Sequence, residues 1–367
     1  MPDDPPRATR RLPLIIGGLC VAGGVMVGIW PRGDEGDGGP PPATPTASVS
    51  VTASATAPAE VVEGPVPAYT KPDLRGPDVG EVVVASAVDA AGLAVVGTDM
   101  WWLSTEGATL ARSRRDGAEP RIVFTPEDTE AVGGTLAAGA AHVFFSVPAE
   151  GAIYRAGWEA AKPSVFVSAS APELVLVVEE ELWWVDGGAV WRSPTSESRP
   201  QRVANVAGAV TSLAARADGA AWLAAPLEPG EPHALGSHVG GTLRVAELEA
   251  AERDSLLVAE GVSFWAESRP TAAGDRGHLV RRPDGGPSTT LRVSGLISHL
   301  AVAGARLVWT EIYVEEETSL LFTATLEGEE VTRHGRILGF VTCLTAHEGI
   351  VYWSGPRGIE RLRIDQN

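Results

Sequence analysis

The hydrophobic positions of this chain fall in short alternating runs, many of them centred on an aromatic pair. The clearest case lies within residues 181–192, where Trp183-Trp184 and Val190-Trp191 flank the sequence Asp186-Gly-Gly. Alternation of apolar and polar residues is typical of a half-buried β-strand, and paired glycines are typical of tight hairpin turns. This stretch therefore predicts a β-hairpin.

Variants of this hairpin recur along the chain at a nearly constant spacing. The last aromatic residue of each falls at position 102, 145, 184, 222, 265, 309 or 353, in steps of 38 to 44 residues. A period of about 40 residues in a strand-rich sequence is typical of propeller blades. The sequence therefore predicts an all-β, seven-bladed β-propeller, which is favoured over six or eight blades.

Each repeat divides into four short strands, A to D, running outward from the propeller axis. In the third repeat these strands are residues 174–178, 181–185, 189–193 and 200–204. A large aromatic side chain on strand B can bury about 150–250 Å² against the next blade, so we expect the tryptophans to pack between blades. Sustained helical periodicity is missing, although residues 249–254 have the composition of a single helical turn.

The two ends of the repeat region are complementary. The seventh repeat has strands A, B and C but ends one strand short, whereas residues 81–85 precede the first repeat and lack a blade of their own. A strand taken from the other end of the repeat region would complete the last blade and close the ring. We therefore expect residues 81–85 to form the outer strand of the last blade.

The N-terminal part predicts a membrane anchor and a tether. Residues 12–30 carry no charge and would form a helix of about 28 Å, close to the thickness of a bilayer, with three arginines just before them. Residues 1–11 would then be cytoplasmic, residues 31–78 a disordered Pro/Ala/Ser/Thr/Gly-rich linker, and residues 79–367 a propeller in the periplasm or outside the cell. Secretion after cleavage of a signal peptide is the alternative. The small-residue spacing Gly24-Val-Met-Val-Gly28 leaves open an anchor-mediated dimer of otherwise monomeric propellers.

The charge and the cysteines exclude several functions. The formal net charge is -18, so nucleic acid and anionic lipid headgroups should be repelled. The two cysteines are Cys20, in the predicted anchor, and Cys343, in a predicted inner strand. They cannot pair, and they provide no cysteine-based metal site.

No motif for catalysis, metal binding or cofactor binding stands out. The seven histidines are scattered, and His233 and His238 should point to opposite faces of one strand, because they lie five residues apart. The acidic runs 179–181 and 315–317 lack the alternating spacing of calcium loops. We expect no cofactor and favour a non-catalytic domain over an enzyme. An envelope hydrolase or lyase with its site at the axial channel remains the alternative, because such a site needs no local motif.

The connections between strands B and C suggest where a partner would bind. They are longer in repeats 4, 5 and 6, at residues 224–232, 267–277 and 311–318. In an up-and-down blade these connections emerge on one end of the propeller together with the D-to-A connections, and binding residues concentrate on such loops. Their mixed charge fits a protein or glycan partner in the cell envelope. The candidate binding residues are His233, Arg269, Asp275, Arg276, Glu315, Glu316 and Glu317.

The repeats also resemble a known family. Val351-Tyr-Trp-Ser-Gly, Leu307-Val-Trp-Thr-Glu and Trp184-Val-Asp-Gly-Gly are similar to degenerate bacterial relatives of the YWTD type of propeller repeat. The resemblance covers residues 80–367, although no repeat has the four-letter motif intact. It implies a propeller that mediates protein or ligand contacts. Receptor YWTD propellers have six blades, so their blade number and receptor function are not implied for this chain.

Overall fold

The computed structural model describes residues 67–69, 71–87, 89–104, 108–127, 134–158, 162–216, 219–228, 231–249, 251–271 and 274–364. The predicted cytoplasmic N-terminus, the anchor at 12–30 and most of the linker lie outside these residues. Within the described part, no helix is both long and apolar enough to cross a bilayer.

The described residues form seven four-stranded antiparallel sheets, so the predicted seven-bladed propeller is confirmed. In blades 1 to 6 the strands follow one another in chain order from the axis outward. The strands of blades 1 to 3 are β2 Ala90–Val96, β3 Asp99–Ser104, β4 Leu110–Arg114, β5 Arg121–Phe124, β6 Leu136–Ala138, β7 His142–Val147, β8 Ala152–Gly157, β9 Ser164–Ser168, β10 Val175–Val178, β11 Glu181–Asp186, β12 Ala189–Pro194 and β13 Gln201–Asn205. Those of blades 4 to 6 are β14 Ala209–Arg216, β15 Gly219–Ala225, β16 His233–Val239, β17 Thr242–Leu248, β18 Glu252–Ala259, β19 Val262–Arg269, β20 Arg276–Pro283, β21 Thr289–Ser294, β22 Leu296–Ala303, β23 Arg306–Tyr313, β24 Thr318–Thr325 and β25 Thr332–Leu338. Blade 7 contains β26 Cys343–His347, β27 Ile350–Gly355, β28 Gly358–Arg363 and β1 Glu81–Val84, and single 3-10 turns occur at Pro148–Glu150 and Val314–Glu316.

The ring closes as predicted, through a strand from the beginning of the repeat region. β1 pairs antiparallel with β28, with Val82 opposite Glu360 and Val84 opposite Ile359. The Ser354 hydroxyl adds a second tie, because it donates to the Ala87 carbonyl at 3.1 Å and accepts from the Ala90 amide at 2.9 Å. Blade 7 is therefore built from both ends of the described chain.

The aromatic residues of strand B pack between blades, as expected. Successive side chains on a strand point to opposite faces, so the two members of each pair serve two different interfaces. In blade 3, Trp183 packs toward blade 4 and Trp184 packs toward blade 2. The same division holds for Phe264 and Trp265 of blade 5. The buried apolar residues accordingly form seven clusters, one at each interface between blades.

Two details of the predicted repeats are wrong. Residues 252–254 belong to β18, where Glu252 pairs with Ser268 and Arg253 with Glu267, so there is no helical turn at this point. Part of each supposedly enlarged connection in repeats 5 and 6 is strand, because β19, β20, β23 and β24 are eight residues long. The remaining connection of blade 6, 314–317, is no longer than that of blade 2, 148–151. We call the end of the propeller that carries the B-to-C and D-to-A connections the upper face.

Candidate functional site

The axial strands carry few ionizable side chains in the part of the chain that the structure describes. The inner strands of the seven blades carry six charged or histidine residues: Arg216, Glu252, Arg253, Asp254, His299 and His347. Arg216 pairs with Asp284, and Arg253 pairs with Glu267. Among the described residues, no group of three or more His, Cys, Asp or Glu side chains could hold a metal ion.

A belt of hydroxyl groups links the inner strands instead. The Ser212 hydroxyl accepts from the Leu256 amide of the next blade at 2.9 Å, and the Ser255 hydroxyl accepts from the His299 amide at 3.1 Å. The His299 ring continues the belt, with Nε2 donating to the Thr342 carbonyl at 3.2 Å. The positions 212, 255, 299 and 342 are spaced by 43 or 44 residues, a second repeat signal beside that of the aromatic pairs. These polar groups join blades.

The candidate residues on the upper face divide into two groups. His233 and Arg269 lie at the groove between blades 4 and 5, where strand C of blade 4 begins and strand B of blade 5 ends. Arg276 and Glu316 lie at the groove between blades 5 and 6, beside Asp275, Glu315 and Glu317, which are exposed. His238 packs against Trp183 on the blade 3 side, so the two histidines of this strand are separated as expected.

A buried carboxylate organises the groove between blades 4 and 5. Glu267 accepts hydrogen bonds from Arg253 Nε at 2.9 Å, Trp265 Nε1 at 3.0 Å and Arg269 Nε at 2.6 Å. Burial lowers the pKa of His233, the charge of Arg253 lowers it further, and Glu267 opposes this shift. His233 therefore stays neutral near pH 7, next to a cluster in which two arginines share one carboxylate.

A second buried carboxylate has the same place in blade 6. Glu311 accepts from Arg292 Nε of blade 5 at 2.6 Å, from Trp309 Nε1 at 3.2 Å and from the Tyr313 hydroxyl at 2.8 Å. Burial and the neighbouring Glu311 charge raise the pKa of Tyr313, which stays protonated. The shared sequence signal is Trp-x-Glu at 265–267 and 309–311, which the reading of the aromatic pairs missed. These networks fix the strand ends that present the exposed charges.

The chain itself covers part of the groove between blades 5 and 6. We call residues 67–69 and 71–80 the strap, because they run along the outer rim before entering β1. The Tyr69 ring lies against the Arg276 guanidinium, with Cζ 4.4 Å from the ring centroid. Lys71 Nζ lies 2.6 Å from Glu316 Oε1, and Leu74 packs on the apolar cluster between the two blades. Two of the seven candidate residues therefore already hold a segment of this chain.

The rest of the strap is bound to the outer strand of blade 6. Arg333 donates to the Asp73 carbonyl and, at 2.9 Å, to the Arg75 carbonyl. Asp78 forms a parallel bridge with Arg336, whose guanidinium also bonds the Asp78 carboxylate at 2.9 Å. The Val79 amide donates to the Arg336 carbonyl at 2.8 Å. This part of the strap covers the edge of β25, which would otherwise present unpaired backbone groups.

Comparison with known proteins supports the fold alone. Neither a protein-family profile nor a curated protein sequence matches the chain, so the YWTD relationship stays a resemblance. Solved structures with a similar fold include Kuenenia stuttgartiensis hydrazine synthase, at a TM-score of 0.63 and 7% identity, covering 80% of this chain and 100% of that one. YCF48 bound to a D1 peptide has a TM-score of 0.57 at 10% identity, covering 78% and 96%. An extracellular domain assigned to a hybrid two-component system of B. thetaiotaomicron has a TM-score of 0.56 at 11% identity, covering 78% and 40%. The chain is thus a β-propeller protein by fold, and identities this low say nothing further about its function.

Proposed function

We propose that this protein is a non-catalytic binding or scaffold propeller, held outside the cytoplasm by an N-terminal anchor, and that its partner binds the upper face at blades 4 to 6. The observation that carries the proposal is a charged rim, with exposed carboxylates at 275 and 315–317 and half-buried arginines at 269 and 276, set on two buried carboxylate networks. Asp275, Glu315 and Glu317 are exposed, and Arg269 is held at 2.6 Å by Glu267. Such a surface is rigid underneath and polar outside, as a protein-binding rim should be.

The distribution of ionizable groups favours binding over catalysis. Arg216 and Arg253 on the inner strands are engaged in ion pairs with Asp284 and Glu267, and His299 bridges to the next blade. A hydrolase or lyase would need such groups to converge on a substrate. The upper rim instead offers charges of both signs, which suits a polar protein partner better than an apolar ligand. A glycan partner would use the same polar surface and is a second outcome of the test below. The peptide seen on YCF48 supports only the idea that a propeller of this fold can hold a peptide.

Site-specific photo-crosslinking in native envelopes tests the proposal. A benzophenone amino acid replaces Asp275 or Glu315 on the upper face, and Glu197 serves as the matched control, because it is exposed in the C-to-D connection of blade 3 on the opposite face. We expect the same crosslinked protein at 275 and 315 and none at 197. Equal crosslinking at all three positions, or none at the upper face, would refute the assignment of the surface. Glycan staining of the adduct identifies a carbohydrate partner.

The anchor is tested separately, on the full chain in membrane fractions. We expect the protein to resist alkaline extraction and to keep its N-terminus, because residues 12–30 carry no charge over the length of a bilayer. A soluble mature form that begins after residue 24 would contradict the anchor and favour secretion.

A further inference from the structure

The strap is attached unevenly along its length. Its second half is fixed by two backbone hydrogen bonds, from the Val79 amide to the Arg336 carbonyl and from the Arg336 amide to the Pro77 carbonyl, and it continues directly into β1. Its first half is held through side chains: the Lys71–Glu316 ion pair, whose side chains are 52% and 34% exposed, the half-buried Tyr69 ring on Arg276, Leu74 on the apolar cluster and the Arg333 guanidinium on the Asp73 carbonyl. An exposed ion pair contributes at most about 1 kcal/mol, and a cation–π contact about 0.5–2 kcal/mol. The first half can therefore lift without opening the ring, whereas the second half cannot.

The contacts of the first half define the chemistry that the groove recognises. Arg276 receives an aromatic ring at position 69, Glu316 receives an ammonium group at position 71, and the apolar cluster between blades 5 and 6 receives Leu74. Arg333 then donates to the backbone carbonyl of Asp73. The first half of the strap thus presents to the groove an aromatic residue, a basic residue two positions later and an aliphatic residue three positions after that.

We propose that the groove between blades 5 and 6 binds an extended segment of a partner protein with this aromatic-x-basic-x-x-aliphatic pattern. Residues 67–69 and 71–74 are the intramolecular occupant that the partner displaces. The proposal rests on the proposed function, because it names the partner chemistry for the same surface. It also adds regulation, since the occupied groove lowers the apparent affinity for any partner. Residues 75–80 stay in place and keep blade 7 closed.

A fluorescent peptide that copies residues 66–74, Val-Pro-Ala-Tyr-Thr-Lys-Pro-Asp-Leu, is the probe for binding to the full chain. The strap variant carries Tyr69→Ala and Lys71→Ala, and Ala68→Ser is the matched control, because Ala68 is exposed. Each removed contact strengthens the attachment of the strap to the groove only a few-fold. We therefore expect the strap variant to bind the peptide about tenfold more tightly than the wild type or Ala68→Ser. Adding Arg276→Ala and Glu316→Ala should abolish this gain. A peptide with alanine at both contact positions should bind none of the variants.

Hydroxyl-radical footprinting of the wild-type chain gives a second, independent measurement. Saturating peptide should increase oxidation of the Tyr69 and Leu74 side chains, which are half-buried, and leave that of Val79 unchanged, because the Val79 amide stays bonded to the Arg336 carbonyl. Equal affinity of wild type and strap variant, or unchanged oxidation of Tyr69 and Leu74 with peptide bound, would overturn the proposal. Absence of binding to a strap variant that melts like the wild type would also overturn it. Any of these results leaves crosslinking at 275 and 315 intact, so failure here is distinguishable from failure of the proposed function.

Discussion

Glu311 should be one of the polar residues on which the stability of the propeller depends strongly. Its side chain is fully buried and accepts hydrogen bonds from Trp309, Tyr313 and Arg292. Replacement by alanine leaves the indole and phenol donors buried without their acceptor, at about 1–3 kcal/mol each. The Arg292 side chain is 26% exposed, so it regains water and adds little. We therefore expect Glu311→Ala to lower the free energy of unfolding by about 2–6 kcal/mol, the sum for these two unsatisfied donors.

Urea denaturation followed by tryptophan fluorescence measures this loss as a lower midpoint at constant m-value. Glu311→Gln keeps an acceptor of nearly the same shape and should cost only about 1–2 kcal/mol, because charge assistance is lost. Glu315→Ala is the matched control, since it removes an exposed carboxylate four residues away and should change stability by less than about 0.5 kcal/mol. The double variant Glu311→Ala/Arg292→Met should be only slightly less stable than Glu311→Ala, because the two side chains act as one pair. A loss below about 1 kcal/mol for Glu311→Ala would refute the idea that this carboxylate organises the strand ends of blade 6.

Three further predictions concern closure, charge and packing. Deletion of residues 79–87 removes β1 and strips β28 of its neighbour, so the domain should lose several kcal/mol; a melting temperature within a degree or two of the intact protein would contradict the closure. Burial raises the pKa of the Glu360 carboxyl in the folded state above its pKa in the unfolded state. The contribution of Glu360 to stability is therefore fully present at a pH below the unfolded pKa, and it is lost as the pH rises through the folded pKa. Glu360→Gln should therefore be more stable than the wild type at pH 7–8, with the advantage shrinking toward pH 4; a pH-independent difference in unfolding free energy would argue against the buried charge. A Cβ at Gly236 would lie 2.2 Å from Trp222 Cε2, so Gly236→Ala should cost about 1–3 kcal/mol by thermal unfolding, whereas Ser237→Ala should be nearly neutral.

The amino-acid sequence alone determined the number and order of the blades. Propeller contacts are local, because each strand pairs with its neighbour in the chain, and a repeat near 42 residues therefore appears directly as a period in the aromatic residues. The closing strand was predictable for the same reason, since a four-strand repeat that ends after three strands requires one more. Packing of Trp183 and Trp184 toward opposite blades follows from the alternation of side chains along a strand.

Where the local preference for a helix or a loop competes with strand pairing, only the tertiary structure decided which conformation forms. Residues 249–254 have helix-forming composition, yet Arg253 lies in a strand because it pairs with Glu267 and its guanidinium bonds that carboxylate. Whether residues between two strands extend the sheet or form a loop depends on the partner strand opposite them, which local sequence does not specify. The prediction of a long connection in blade 6 was wrong for this reason.

The composition of the candidate site was also a tertiary result. The sequence selected Arg276 and Glu316 as exposed charges at loops, but it could not show that Tyr69 and Lys71 lie against them. The pairs are separated by more than 200 residues in the chain, and neither segment has a periodicity that relates it to the other. The strap reaches the groove because β1 must close blade 7 beside blade 6, and the segment before β1 therefore runs along the outer rim of blade 6. The period of the sequence determined the ring, and closure of that ring in three dimensions determined what covers the groove.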